Sequence, residues 1–161
     1  SDVCSSDLLP AWSANLGKRL VKSPKIHLLD TGLVAHLRGI TDAAALSQSP
    51  DIGPLLENFV VQEIRKQLAL SLQTASAWHF RTATGSEVDL LLEAPDGRIV
   101  GFEVKAAGNV GQNDFKGLRA LAEALGQRFV AGAVLYLGEQ ILPFGDGLQA
   151  LPVSVLWQAN D

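Results

Sequence analysis

The sequence predicts one mixed α/β domain in which helices flank a central sheet, and three observations support this. The chain has 161 residues, of which 47% are hydrophobic, so it is long enough to bury one sizeable core. Apolar periodicities run in the order helix, three strands, helix, two strands, which is typical of a mixed sheet with helices on its faces. A Pro-Asp-Gly turn separates two of the strands, so those two are expected to pair antiparallel.

The N-terminal residues are unusual. The chain contains no methionine, and its first eight residues, from Ser1 to Leu8, resemble the translation of a sequencing-library adapter. We therefore expect residues 1–8 to be an artefact that is disordered or makes no contact with the core. The alternative is a polar, disordered natural start of the chain.

Residues 9–50 are predicted to form an N-terminal extension of the main domain. Lys25 to Asp30 is expected to be a short strand, whose last residue or Thr31 can cap a helix from Gly32 to about Arg38. A polar connector with one helical turn around Ala43 to Leu46 follows. The extension is therefore predicted to be a strand followed by a helix.

Residues 51–161 are predicted to form the main α/β domain. Pro54 suits the first position of a long helix that extends to about Ser71. Glu57 lies on the apolar face of this helix, in register with Val60, Val61, Ile64 and Leu68. The later elements are predicted as strands Ala77–Thr82, Glu87–Glu93 and Arg98–Lys105, a helix ending at Gly126, a buried strand Phe129–Leu137, a loop Ile141–Gly147 and a final strand Leu151–Trp157.

Charge is unevenly distributed along the chain. Leu9 to Ile40 contains five basic residues and one acid, whereas Thr41 to Asp161 contains eight basic residues and fourteen acids. An acidic body is a poor surface for nonspecific nucleic-acid binding. Such binding would therefore depend on a few basic side chains, although the N-terminal ones could equally form a solvated turn. The candidates are Lys18, Arg19, Lys22, Lys25 and, at a strand end, Arg81.

Neither a membrane span nor a disulfide framework is indicated. The longest apolar run, Val130 to Leu137, is far shorter than the ~20 residues of a spanning helix. One cysteine, Cys4, cannot form an internal disulfide framework. We therefore expect a soluble, cytoplasmic protein with no membrane partner.

Strand alternation and the Pro-Asp-Gly turn bring candidate catalytic residues together. Alternation places Glu103 and Lys105 on one face of their strand. The turn places Asp89 opposite Glu103 or one residue away. Facing carboxylates repel each other unless a cation, a lysine or a raised pKa relieves the repulsion. Lys105 is a lysine in the right place to relieve the repulsion, and a divalent metal would be a suitable cation.

An aspartate followed by Glu-x-Lys on the next strand is the arrangement that a metal-dependent phosphodiesterase needs. Asp89 and Glu103 could hold Mg²⁺, which prefers oxygen ligands and activates water. Lys105 could orient the attacking water, and Glu57 could add a further carboxylate. The alternative is a structural ion-pair cluster without catalytic function.

These residues, in this order, resemble the PD-(D/E)xK nuclease-like (restriction-endonuclease-like) core. Four longer blocks are similar to the C-terminal domain of unknown function of bacterial and archaeal AAA-type P-loop ATPases. These blocks are Lys25-Ile-His-Leu-Leu-Asp-Thr-Gly-Leu33, Leu56-Glu-Asn-Phe-Val-Val-Gln-Glu63, Phe80-Arg-Thr-Ala-Thr-Gly-Ser-Glu-Val-Asp89 and Phe102-Glu-Val-Lys105.

The resemblance implies a restriction-endonuclease-like core, ordered α-β-β-β-α-β, that hydrolyses DNA with Mg²⁺. It also implies an N-terminal ATPase domain as partner, with residues 9–50 as the remnant of the junction. ATP would bind only that partner, because this chain has no G-x-x-x-x-G-K-[ST] loop. The alternative is a noncatalytic module that binds nucleic acid or protein, or regulates the ATPase.

Overall fold

The computed structural model describes residues 6–13, 22–83 and 85–158. Within these ranges the chain forms a six-stranded mixed sheet, a separate two-stranded sheet and four α-helices. The mixed α/β class predicted from the sequence is therefore confirmed. No helix in the described part of the chain combines the length and the apolar character needed to cross a membrane.

The N-terminal elements form a small unit beside the main sheet. Strands β1 (Ser6–Leu9) and β2 (Lys25–Leu28) pair antiparallel. Helices α1 (Thr31–Leu37) and α2 (Ala43–Gln48) follow, and each begins where an aspartate side chain accepts a hydrogen bond from a backbone N–H of the first turn. Neither helix contains a buried residue.

The main sheet is antiparallel on one side and parallel in the middle. Its strand order is β3-β4-β5-β6-β8-β7, and the pairs β5–β6 and β6–β8 are parallel while the others are antiparallel. The strands are β3 (Ser76–Arg81), β4 (Glu87–Glu93), β5 (Ile99–Lys105), β6 (Phe129–Tyr136), β7 (Leu142–Pro143) and β8 (Leu148–Pro152).

Two helices cover opposite faces of this sheet. Helix α3 (Ile52–Leu70) packs Val60, Val61 and Ile64 into one core cluster. Helix α4 (Lys116–Leu125) follows a 3₁₀ turn and packs into a second cluster on the other face. The sheet is therefore covered on both sides, which explains why the middle strand β6 is almost continuously apolar.

The predicted turn between β4 and β5 is confirmed. The Gly97 N–H donates to the Ala94 carbonyl, and Gly97 has φ 82°, which favours glycine. The turn sets an antiparallel register in which Leu90 lies opposite Phe102. Continuing this register toward the open end of the hairpin brings Asp89 level with Glu103, as expected.

The C-terminal prediction is wrong in two places. Strand β8 begins at Leu148, and Val153–Trp157 is a 3₁₀ helix instead of the end of a strand. Pro152 has no N–H to continue the ladder, and Trp157 then stacks on Phe59 of α3 with ring centroids 5.5 Å apart. The expected loop also contains the two-residue strand β7.

The expectation that residues 1–8 are disordered is wrong for Ser6, Asp7 and Leu8. These residues belong to β1 and pair with β2. Asp7 also forms an ion pair with Arg65 of α3. Residues 1–5 lie outside the described residues, and an adapter origin of the segment stays a prediction.

Candidate functional site

Asp89 occupies an irregular position in β4. The register with β3 shifts between Trp78 and Phe80, so two residues of β4 oppose one residue of β3 there. Asp89 Oδ2 accepts a hydrogen bond from the Val104 N–H at 2.9 Å. The carboxylate is thus fixed against the backbone of β5, and only 7% of the residue is exposed.

Glu103 and Lys105 follow on β5, on the same side of the strand. Glu103 is buried, with 7% of its surface exposed. Its Oε2 lies 3.9 Å from the Lys105 ammonium, whose side chain is 39% exposed. The lysine therefore lies at the opening of the site, with its charge close to the buried acid but partly in solvent.

Gly117 allows helix α4 to approach these strands closely. A Cβ at this position would lie 2.0 Å from the carbonyl oxygen of Glu87 and 2.8 Å from Glu103 Oε1. No side chain fits between the first turn of α4 and β4. The glycine is therefore required for the helix to form one wall of the site.

A second positive group, Lys25 of β2, reaches the site from outside the six-stranded sheet. Its ammonium lies 2.8 Å from Glu57 Oε1, 2.7 Å from Glu87 Oε1 and 3.1 Å from Asp89 Oδ1. Glu57 comes from the first turns of α3, and the other two acids come from β4. Three carboxylates from two elements thus share one ammonium.

All four predicted catalytic residues meet in one cavity of about 480 Å³. The predicted convergence of Asp89, Glu103 and Lys105 with Glu57 facing them is therefore confirmed as geometry, whereas their catalytic roles stay predictions. The cavity is rich in charge and opens to solvent. The further charged side chains that line it are Glu87, Asp114 and Lys116.

The acids outweigh the cations in this cavity, and the pKa values reflect it. Burial and the neighbouring Asp89 charge raise the pKa of Glu103 to about 9. Burial and Asp89 also raise the pKa of Glu57, although Lys25 opposes the shift. Burial alone would lower the pKa of Lys25, but the Asp89 and Glu57 carboxylates raise it above its ordinary value. One further cation would therefore be accommodated favourably.

No ready-made metal geometry exists in the described part of the chain, where no three His, Cys, Asp or Glu residues are arranged to hold an ion. The carboxylates around Lys25 contact an ammonium at 2.7–3.1 Å, which is longer than the roughly 2.0–2.1 Å of a magnesium–oxygen bond. Their donor chemistry suits a hard divalent cation, and the contacts in this structure are those of an ammonium.

The predicted nucleic-acid-binding residues are not brought together. Arg81 is exposed and forms a surface ion pair, with its Nε 3.8 Å from Glu87 Oε2. Lys22 is exposed. The Lys25 ammonium faces the acids of the cavity, and its nucleic-acid-binding role stays a prediction. Lys18 and Arg19 lie outside the described residues.

Sequence reasoning did not place three residues in this cluster, although Lys25 was named as a nucleic-acid-binding candidate. Glu87 stands two positions before Asp89, and the same spacing in Glu103-x-Lys105 could have drawn attention to it. Lys25 and Gly117 gave no local signal, because their partners are distant in sequence. Lys25 contacts residues 32 and 64 positions away.

Two family models match the chain. Domain of unknown function (DUF4143) matches residues 52–156, and Domain of unknown function (DUF8612) matches residues 2–44. Uncharacterized proteins of Mycobacterium bovis and Mycobacterium tuberculosis are each 37% identical over 147 residues, which cover 91% of this chain and 31% of theirs. The chain thus spans about a third of the length of these relatives. No solved structure matches it.

Proposed function

The chain belongs to the family of the domain of unknown function DUF4143, and we propose that its cavity is a Mg²⁺-dependent phosphodiesterase site that acts on DNA. One observation carries the proposal. Asp89, Glu103 and Lys105 lie on adjacent strands and line one cavity with Glu57. Two carboxylates and a lysine around an open cavity are the groups that this chemistry requires.

The residues present fit a bound Mg²⁺ by their chemistry. Carboxylate oxygens are the ligands that this ion prefers, and it usually keeps several waters, which a cavity open to solvent can provide. The ammonium of Lys25 stands among three of the acids as a cation would. Asp89 and Glu103 would hold the metal, with Glu57 as an additional acid.

Each side chain has a separate task in this proposal. The bound metal would lower the pKa of a water and offset charge that develops on the phosphate. Asp89 is held in place by its hydrogen bond from the Val104 N–H, so one ligand is fixed before any ion binds. Lys105, at the opening of the cavity, would orient the attacking water or contact the phosphate.

We also propose that the domain works as the C-terminal part of a longer cytoplasmic protein with an N-terminal AAA-type ATPase and a restriction-endonuclease-like core. The resemblance of the four sequence blocks supports this, and the greater length of the mycobacterial relatives leaves room for it. The acidic body of this chain would need basic surface from such a partner to hold DNA.

A cleavage assay tests the proposal. The 161-residue chain is incubated with supercoiled plasmid in millimolar Mg²⁺ or in EDTA, alongside Asp89→Asn, Glu103→Gln and Lys105→Met. We expect nicking that requires Mg²⁺ and is lost in all three variants. Asp96→Asn is the matched control, since Asp96 is an exposed residue at the opposite end of the same hairpin and should leave cleavage unchanged. Cleavage that persists in Asp89→Asn would contradict the proposal.

The second candidate is a noncatalytic module that binds nucleic acid or protein, or regulates the ATPase. The ion pairs of Lys25 favour it, because they already neutralise part of the acid cluster. This candidate predicts no cleavage by the chain or by Lys25→Met. If this candidate is right, the Lys105→Met variant should bind the nucleic acid or protein partner as tightly as the parent chain does.

A further inference from the structure

Lys25 has an unusual position for a lysine at the start of a strand. Its ammonium is within 3.1 Å of three carboxylates, and its side chain is only 21% exposed. The ammonium has three N–H donors, and three acidic oxygens lie at hydrogen-bonding distance. Every donor therefore has an acidic partner available, so Lys25 is fully engaged inside the site.

The strand that carries Lys25 is separate from the strands that carry the acids. Strand β2 pairs with β1 in a two-stranded sheet, whereas Asp89 and Glu87 belong to β4 of the six-stranded sheet. The link between them at this point is the lysine side chain. A four-carbon stem can change rotamer without any change in backbone pairing. The ammonium can therefore leave the acids while the sheet stays intact.

A divalent cation and the ammonium compete for the same oxygens. Asp89 is the shared ligand, since its Oδ1 accepts from Lys25 at 3.1 Å and it is also a proposed metal ligand. Glu57 is the second shared group. A metal drawn to these oxygens would place a charge of +2 next to the ammonium, and like charges at that distance repel strongly in a partly buried site.

We propose that Lys25 is a built-in competitor of the metal: its ammonium occupies the cation position of the carboxylate cluster and must withdraw before a divalent ion binds. The inference rests on the proposed function, because it takes the cluster to be a metal site. Metal loading then depends on a change in the rotamer of Lys25.

A titration of three variants tests this competition. Mg²⁺ binding to the parent chain, Lys25→Met, Lys25→Arg and Lys66→Met is measured by calorimetry, and the melting temperature of each is measured in EDTA and in Mg²⁺. Met keeps most of the apolar stem without the charge, and Arg keeps the charge. Lys66→Met is the matched control, because Lys66 pairs with Glu63 on the exposed side of α3.

We expect Lys25→Met to bind Mg²⁺ at least about tenfold more tightly than the parent, which is within the usual range for coupled sites. Its melting temperature should be lower than that of the parent in EDTA and should rise more on addition of Mg²⁺. Lys25→Arg and Lys66→Met should bind Mg²⁺ as the parent does. If Lys25→Met is unfolded in EDTA, recovery of its circular dichroism in Mg²⁺ supports the proposal equally.

Two outcomes overturn the inference, and they differ in whether the proposed metal site survives. Equal Mg²⁺ affinity in the parent and in Lys25→Met would show that the lysine does not compete, while the metal site itself survives. Loss of stability in Lys25→Met without Mg²⁺ binding or recovery in either protein would show a structural ion-pair cluster, and the proposed function would fail with it.

Discussion

The six-stranded sheet and the N-terminal segment (residues 6–13 and 22–50) contribute very differently to the molecule. The sheet and its helices α3 and α4 contain most of the described apolar core. In the N-terminal segment, α1 and α2 have no buried residue, and its buried side chains are Leu9, Trp12 and His27. The same segment nevertheless supplies Lys25 to the acids of the sheet.

The residues that stabilise the fold are therefore different from the residue that neutralises the acids of the site. The core of the sheet determines where Asp89 and Glu103 lie. The N-terminal segment, which adds little to the core, determines how much of their charge is neutralised. Substitutions in the core of the sheet should therefore change stability through packing, whereas substitutions at Lys25 should act through the electrostatics of the cavity.

The largest effect is expected from truncation of a core residue of the sheet. Leu90 is fully buried, so Leu90→Ala should reduce the free energy of unfolding by about 2–5 kcal/mol. Leu37→Ala in α1, where the leucine is 75% exposed, should cost less than about 0.5 kcal/mol. Urea denaturation of both variants measures the difference. Equal losses would mean that α1 belongs to the cooperative core.

A smaller loss of stability is expected from a substitution at the point where α4 approaches the strands. In Gly117→Ala the new methyl group would meet the carbonyl oxygen of Glu87, so the helix must shift at a cost of about 1–3 kcal/mol. Gly53→Ala in α3 is the matched control, since its Cβ would meet nothing within 4 Å; this variant should be neutral or slightly more stable. Thermal melting of both variants gives the comparison, and an unchanged Gly117→Ala protein would refute the close contact.

Acid should weaken the attachment of the N-terminal segment through His27. Burial, followed by the charge of Lys25, lowers the pKa of this histidine to about 4, from 6.5 in an exposed histidine. Below pH 6.5 the unfolded chain binds a proton that the folded chain excludes, so stability falls as the pH falls. The expected loss between pH 7 and pH 5 is about 2 kcal/mol.

The measurement is urea denaturation at both pH values for the parent, His27→Gln and the exposed-site control His36→Gln. Burial also lowers the pKa of His79, so part of the pH dependence should remain in every protein. The His27→Gln variant should lose less stability on acidification than the other two. A pH dependence identical in all three proteins would rule out His27 as its source.

The sequence correctly predicted the features that depend on residues close together in the chain. Alternation in Ile99–Lys105 and the turn at Gly97 were sufficient to predict the β4–β5 hairpin and the approach of Asp89 to Glu103. The 3.6-residue period predicted the buried face of α3, including Val60 and Ile64. These features depend on neighbours within one or two elements, which periodicity and turn chemistry describe.

The missed features depend on contacts between distant segments. Lys25 looked like one of several basic surface residues, because nothing near it in sequence reports that Glu57 and Asp89 surround it. The end of the last strand was missed for a similar reason. Trp157 stacks on Phe59 of α3, and this tertiary contact stabilises a 3₁₀ helix where β-branched residues favour a strand.

The most direct test of the link between the two regions is a double-mutant cycle on Lys25 and Asp89. The free energy of unfolding is measured in EDTA for the parent, Lys25→Met, Asp89→Asn and the double variant. Asparagine keeps an acceptor for the Val104 N–H, so the cycle isolates the charge contact at 3.1 Å. We predict that the double variant is more stable than the sum of the single losses implies, by about 1–3 kcal/mol. Additive losses, within about 0.5 kcal/mol, would contradict the claim that the N-terminal segment supplies the cation of the site.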